Sequence, residues 1–178
     1  KRYLMEFKKF SFKKVGSTNN TAMRLIKKGI KNGIIISDLQ TKGRGQRGNK
    51  WFSKKGNLFM TVFFEISKNL SLKKIVKLNI LIIKKIIKKT SNSSITIKKP
   101  NDILINKKKV CGILQETMFN SDRKFLVVGV GINLNSSPKV KKYETTYLNN
   151  YTKKKISKME LFDNIKTTFE KNIKYFKI

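Results

Sequence analysis

There is no histidine anywhere in the 178 residues, and there is one cysteine, one tryptophan and only two prolines. The missing histidine removes His-based catalytic triads and Cys/His zinc sites together. Cys111 has no second cysteine to pair with, so no internal disulfide forms, and a reducing, cytoplasmic location is the expectation. Apolar runs are short: Leu81-Ile82-Ile83 ends at a lysine pair, far below the ~20 residues of a spanning helix. No signal-peptide pattern opens the chain. Acidic residues are scarce too, 10 against 42 basic ones, for a formal charge of +32. Such a balance suits nucleic acid or an anionic membrane. Yet only five of the 42 are arginine, and the lysines run from Lys1 to Lys177 without a concentrated tail. Lysine, asparagine, isoleucine and phenylalanine are abundant together, so an A/T-rich coding sequence is a competing cause of the charge.

What is present centres on Thr41–Ser53, read Thr-Lys-Gly-Arg-Gly-Gln-Arg-Gly-Asn-Lys-Trp-Phe-Ser. Gly43, Gly45 and Gly48 allow positive φ and close approach of a ligand. Arg44, Arg47 and Lys50 place cationic donors on the same segment, suited to carboxylate or phosphate oxygens. The spacing is not that of a Walker loop. It does fit G-x-G-x-x-G, but Trp51 and Phe52 lead toward a strand, which a dinucleotide fingerprint does not.

At 178 residues the size suits one domain with its own core. Lys1–Lys14 reads as an edge strand. Ser17 or Thr18 caps a helix carrying Ala22, Leu25 and Ile26, with Gly29 at its C′ position. Strands are expected over 33–40 and 58–65, flanking the glycine loop, then an amphipathic helix over 71–89. A short strand at 95–97 and a tight Pro100-Asn101-Asp102 turn precede a hairpin of 102–105 with 109–116. A strand over 125–134 holds Gly129 and Gly131, which mark a close approach of backbone or ligand. A short helix near 143–150 follows, and Ser157-Lys158-Met159-Glu160 is a capping box for the last helix. The pattern is mixed α and β, with helices grouped on one face.

Four stretches stand in order: Ser17-Thr18-Asn19; Gln40 with Gly43–Trp51; Lys98-Lys99-Pro100-Asn101-Asp102 with Lys109 and Gly112; and Gly129-Val130-Gly131-Ile132-Asn133. In that order and spacing they resemble the catalytic domain of biotin protein ligases, over nearly the whole chain. The resemblance implies an α+β fold: a mixed, largely antiparallel sheet with helices on one face, like that of class II aminoacyl-tRNA synthetases. It implies one catalytic domain over 1–178, with neither an N-terminal winged helix nor a C-terminal β-barrel. The implied activity joins biotin and ATP, with Mg²⁺, into biotinyl-5′-AMP and then acylates one lysine of a biotin carboxyl carrier protein.

The same resemblance assigns biotin to Ser17, Thr18, Asn19, Gln40, Gly43, Arg44, Trp51 and Gly112. It assigns ATP or the adenylate to Arg47, Lys50, Asn101, Asp102, Lys109 and Asn133, with Asp102 near Mg²⁺ and Lys109 and Arg44 catalytic. The partner is the carrier protein; neither specific nucleic acid nor membrane is expected, and a homodimer is a possible assembly. Departures from the family pattern are Lys99 where tryptophan is common, Gln46 where arginine is frequent, and Asn49 where a basic residue is frequent. Two other readings stay open: a lipoate or octanoate ligase or transferase of the same fold, and a basic nucleic-acid-binding module.

Overall fold

The computed structural model describes residues 6–176. Among them, seven strands form one sheet: β1 (Lys9–Phe12), β2 (Asn32–Ser37), β3 (Leu58–Ile66), β4 (Ile95–Lys98), β5 (Asp102–Ile105), β6 (Lys108–Asn120) and β7 (Arg123–Ile132). Their lateral order is β1-β2-β3-β7-β6-β5-β4; β1 runs parallel to β2 and the other neighbours are antiparallel. The long helices are α1 (Thr18–Lys27), α2 (Leu72–Thr90) and α3 (Lys158–Asn172). This is the mixed α+β architecture expected. β1 is the edge strand anticipated near the start, shortened to four residues; Lys1–Met5 lie outside the described residues.

Side chains alternate between the two faces of each strand. On one face Ile34, Met60, Val62, Leu126 and Val128 pack against Ile83 and Ile87 of α2 and Phe162 and Ile165 of α3. On the other, Ile35, Phe63, Phe125 and Val127 pack against Ala22 and Ile26 of α1. The expectation of helices on one face is therefore corrected: α2 and α3 share a face and α1 takes the opposite one. The cause lies in β2 and β3, which read as continuous apolar runs and need cover on both sides.

α1 has 10 residues, a length of about 15 Å. It covers β2, β3, β7 and the far end of β6, where Met118 packs against its cluster and Asn120 Nδ2 donates to the Ile26 carbonyl, and leaves the sheet around Gly112, Leu114 and Gly131 for another use. Its start is fixed by Ser17, whose Oγ accepts from the Asn20 amide at 3.4 Å. Its end is Gly29, at φ 88° just past the C-cap, as read from the sequence.

α2 carries the expected apolar stripe with Asn79 inside it. Asn79 is fully buried; its Nδ2 donates to Gln115 Oε1 at 2.7 Å, and Gln115 Nε2 donates to the Val76 carbonyl at 3.1 Å. That pair ties α2 to β6. The α3 cap also forms, with Ser157 Oγ accepting from Glu160 N at 3.0 Å. Other boundaries differ from expectation: β2 stops at Ser37 where the expected strand extends to Gln40, and β7 at Ile132 where it extends to Leu134. β6 continues to Asn120 and closes a hairpin with β7 through Ser121 at φ 52°. The segment expected to be helical near 143–150 forms only a 3₁₀ turn at Leu148–Asn150.

Candidate active site

The site's floor is a pair of glycines. Gly112 of β6 faces Gly131 of β7 in register, and the indole of Trp51 lies across both. A Cβ at Gly112 would fall 2.7 Å from Trp51 Cζ3, and one at Gly131 would fall 2.5 Å from Cε2. One step along β7, a Cβ at Gly129 would fall 2.3 Å from Asn19 Oδ1. The strand glycines thus mark close approach, as expected, and what approaches them is the chain's own Trp51 and Asn19. Around this floor opens a cleft of about 620 Å³. Its walls are the start of α1, the loop after Gln40, the β4–β5 hairpin and the segment 140–143.

The glycine loop is a small antiparallel hairpin. Trp51 N donates to the Gly43 carbonyl (3.0 Å), Gly45 N donates to the Asn49 carbonyl (2.7 Å), and Arg44 pairs with Lys50. Positive φ occurs at Arg47 (54°) and Gly48 (76°), at the tip. Gly43 is required for space instead, because a Cβ there would stand 2.5 Å from the Trp51 carbonyl oxygen.

At the α1 end, Thr18 donates twice to Gln40 Oε1, from N at 2.9 Å and from Oγ1 at 3.0 Å. Gln40 Nε2 donates to Ser53 Oγ at 3.1 Å, so Gln40 braces the helix start against the segment after Trp51. Asn19 is buried and engaged at both ends of its amide. Its Nδ2 donates to the Leu114 carbonyl (3.1 Å) and Glu116 Oε2 (2.9 Å), and its Oδ1 accepts from Thr61 Oγ1 (2.7 Å).

The cationic end is built by a β-bulge. Ile103 pairs with Cys111 but Leu104 pairs with Lys109, so Val110 is the extra residue. Val110 and Cys111 both enter the core beneath α2 and α3, and Lys109 is turned onto the cleft face with Gly112. Lys109 Nζ lies 2.9 Å from Asp102 Oδ1, with the Tyr143 ring 5.0 Å and the Trp51 ring 5.4 Å away. Lys98 faces Asp102 across β4–β5. Lys107 sits exposed in the turn at φ 67°, and Lys108 pairs with Glu144 at 3.7 Å. Burial pushes the Cys111 thiol far above its ordinary range, with Lys109 opposing and Asp102 adding more weakly; it is an inert core residue.

Of the residues singled out in the sequence, Ser17, Thr18, Asn19, Gln40, Arg44, Lys50, Trp51, Asn101, Asp102, Lys109 and Gly112 line the cleft. Gly43 lies beneath Trp51. Arg47 stands exposed at the loop tip and does not line the cleft, because the turn at Gln46–Gly48 carries it outward. Asn133 is buried beside a separate small cavity shared with Trp51 and Tyr143; its Nδ2 donates to the Thr146 carbonyl at 3.1 Å. Not singled out beforehand were Glu116, Thr61, Tyr143 and the Lys141-Lys142 pair. Strand alternation held a signal for Glu116, since 112, 114 and 116 share the cleft face.

A family model for the Biotin/lipoate A/B protein ligase family matches residues 11–133. The bifunctional ligase/repressor BirA of Bacillus spizizenii is 32% identical over 167 residues, 88% of this chain and 51% of that protein. Its Escherichia coli counterpart is 31% identical over 67% of this chain and 38% of that protein. The chain thus spans about half the length, or less, of these curated relatives. A biotin protein ligase from Aquifex aeolicus, solved with biotin and ATP, superposes with a TM-score of 0.78 at 28% identity, covering 96% of this chain and 72% of that one. One from Leishmania major, solved with biotinyl-5-AMP, gives 0.78 at 24% identity over 96% and 76%, a likeness of fold. The match over 11–133, with the same sheet and helices in the solved ligases, shows that this chain belongs to the biotin/lipoate A/B protein ligase family.

Proposed function

We propose that residues 1–178 act as a biotin protein ligase catalytic domain, making biotinyl-5′-AMP from biotin and ATP and passing the biotinyl group to a lysine of a biotin carboxyl carrier protein in the cytoplasm. The observation that carries this reading is one cleft gathering three unlike features. The Thr18–Gln40 polar pair stands at a helix start, Trp51 forms an apolar floor, and Arg44 and Lys109 are the cations. A ligand with a polar head, an apolar middle and an anionic end suits that layout.

In the first step a carboxylate oxygen of biotin attacks the α-phosphorus of ATP and pyrophosphate leaves. Two anions must meet, and charge spreads over phosphate oxygens as they do. Lys109 and Arg44 offset that charge from fixed positions, lowering the barrier more than the ground state. Asp102 holds Lys109 in place before substrate arrives. In the second step the neutral amine of the carrier lysine attacks the acyl carbon and AMP leaves.

Magnesium accompanying ATP takes most of its ligands from water and phosphate and needs one or two carboxylates. Among the described residues no cluster of three or more His, Cys, Asp or Glu exists, so a site made of protein alone is not available. Asp102, on the cleft wall, fits the smaller demand and would hold the ion, which supplies charge neutralisation on the phosphates.

The test is transfer to an isolated biotin carboxyl carrier domain in the presence of ATP, with biotin, lipoate or octanoate offered separately. Modification with biotin alone is the expected result. Modification with lipoate or octanoate and none with biotin would contradict it.

A further inference from the structure

Glu116 holds the arginine of the glycine loop. Its Oε2 accepts from Arg44 Nη2 at 2.6 Å and from Asn19 Nδ2 at 2.9 Å, two charge-assisted or amide donors on one oxygen. Asn19 is fixed in turn by Thr61 Oγ1 at 2.7 Å and by the Leu114 carbonyl at 3.1 Å. Gly129 leaves the room that Asn19 occupies, since a Cβ there would lie 2.3 Å from Oδ1. A relay therefore runs from the buried sheet at Gly129 and Thr61, through Asn19 and Glu116, to the guanidinium of a loop arginine whose side chain is about 38% exposed. Arg44 uses one N–H on Glu116, in a single-point contact. A guanidinium carries five N–H groups, so four remain for an anion in the cleft.

We propose that Glu116 is a positioning residue: it aims Arg44 into the cleft and ties the glycine loop to the sheet, without touching substrate itself. This rests on the reading of the cleft as a biotin site. Without the Glu116 carboxylate, Arg44 has a flexible stem and an exposed head, and the loop loses its ionic tie to β6. What remains are the backbone bonds of its own hairpin and, at its base, those from Thr41 N to the Val15 carbonyl and from Lys42 N to the Gly16 carbonyl, none of which holds the arginine side chain. Substrate then has to order the arginine as it binds, which weakens binding.

The sole tryptophan, Trp51, lies on the cleft floor, so intrinsic fluorescence reports occupancy directly. Biotin is titrated against the parent protein, Glu116→Gln, Arg44→Ala and the double variant. Trypsin cleavage at Arg44 and Arg47 is followed in the parent and in Glu116→Gln without ligand. Glutamine keeps the shape and an oxygen for Asn19 but removes the charge. Biotin binding is expected to weaken about five- to ten-fold in Glu116→Gln, the gap between charge-assisted and neutral hydrogen bonds. Loop cleavage should rise in that variant, and Arg44→Ala and the double variant should bind alike, since Glu116 acts through Arg44. Parental affinity and parental cleavage in Glu116→Gln would overturn the proposal. So would a Glu116→Gln loss that persists undiminished in the Arg44→Ala background, which is the signature of a purely structural residue. Faster loop cleavage in a protein whose parent gives no response to biotin would overturn the substrate reading and leave the loop anchor standing.

Discussion

Lys109 is one of three consecutive lysines, and a single extra residue separates its role from that of its neighbours. Because Val110 is bulged, both Val110 and Cys111 face the core and Lys109 faces the cleft beside Asp102. Lys109→Ala should therefore lower adenylate formation by roughly two to three orders of magnitude, the usual loss when one fixed donor to developing charge is removed. Lys107→Ala and Lys108→Ala should stay close to the parent, because both point to solvent or to Glu144. Equal rates in all three variants would remove Lys109 from the chemistry. Gln46 is a second residue with a sharp expectation. It lines the cleft as a neutral amide on the loop, at a position where the family resemblance leads one to expect arginine. Gln46→Arg should lengthen retention of biotinyl-AMP about five- to ten-fold, for ~1 kcal/mol from a charge-assisted contact. Adenylate release after a pulse of biotin and ATP without carrier measures it; equal release from the two proteins would contradict it. In the sequence, the bulge is visible only as two adjacent apolar residues, Val110 and Cys111, where alternation calls for one. Resemblance could single out Lys109, but the reason for its orientation needed the strand register.

Element by element, the sequence was most legible where a period and a cap coincide. α2 and α3 lie where the 3.6-residue stripes and the Ser157 cap placed them, and α1 begins at Ser17 and ends by Gly29. What did not show was which face each helix would take. The apolar runs of β2 and β3 are equally consistent with either side, so only the packing of Ile35 and Phe63 against α1 reveals the split. The strand glycines behave in the same way. Composition announces that something comes close to Gly112, Gly129 and Gly131, but not that the visitors are Trp51 and Asn19, up to 110 residues away in the chain. Gly131→Ala should push the indole off its seat. We expect a shifted Trp51 emission, weaker biotin binding and a stability loss of about 1–3 kcal/mol, the usual cost of overpacking. An unchanged emission spectrum with parental biotin affinity would show that Trp51 does not depend on the glycine floor.

For the whole molecule, the high positive charge does not by itself mark out the cleft. The lysines cover the surface broadly, and those that matter to the site, chiefly Lys109, are set apart by geometry and not by number. The glycine-floored cleft sits on the sheet face that α1 leaves open, so fold and site share one cause: a short helix on one side and two longer ones on the other. Within such a cleft the first half of the proposed reaction can be watched alone, before any carrier protein is involved. The direct measurement is exchange of labelled pyrophosphate into ATP, with Mg²⁺ present and biotin, lipoate or octanoate added in turn. Exchange that requires biotin, is not supported by lipoate or octanoate, and is lost in Lys109→Ala is the expected result. Exchange that is indifferent to biotin, or that lipoate supports in its place, would contradict the account.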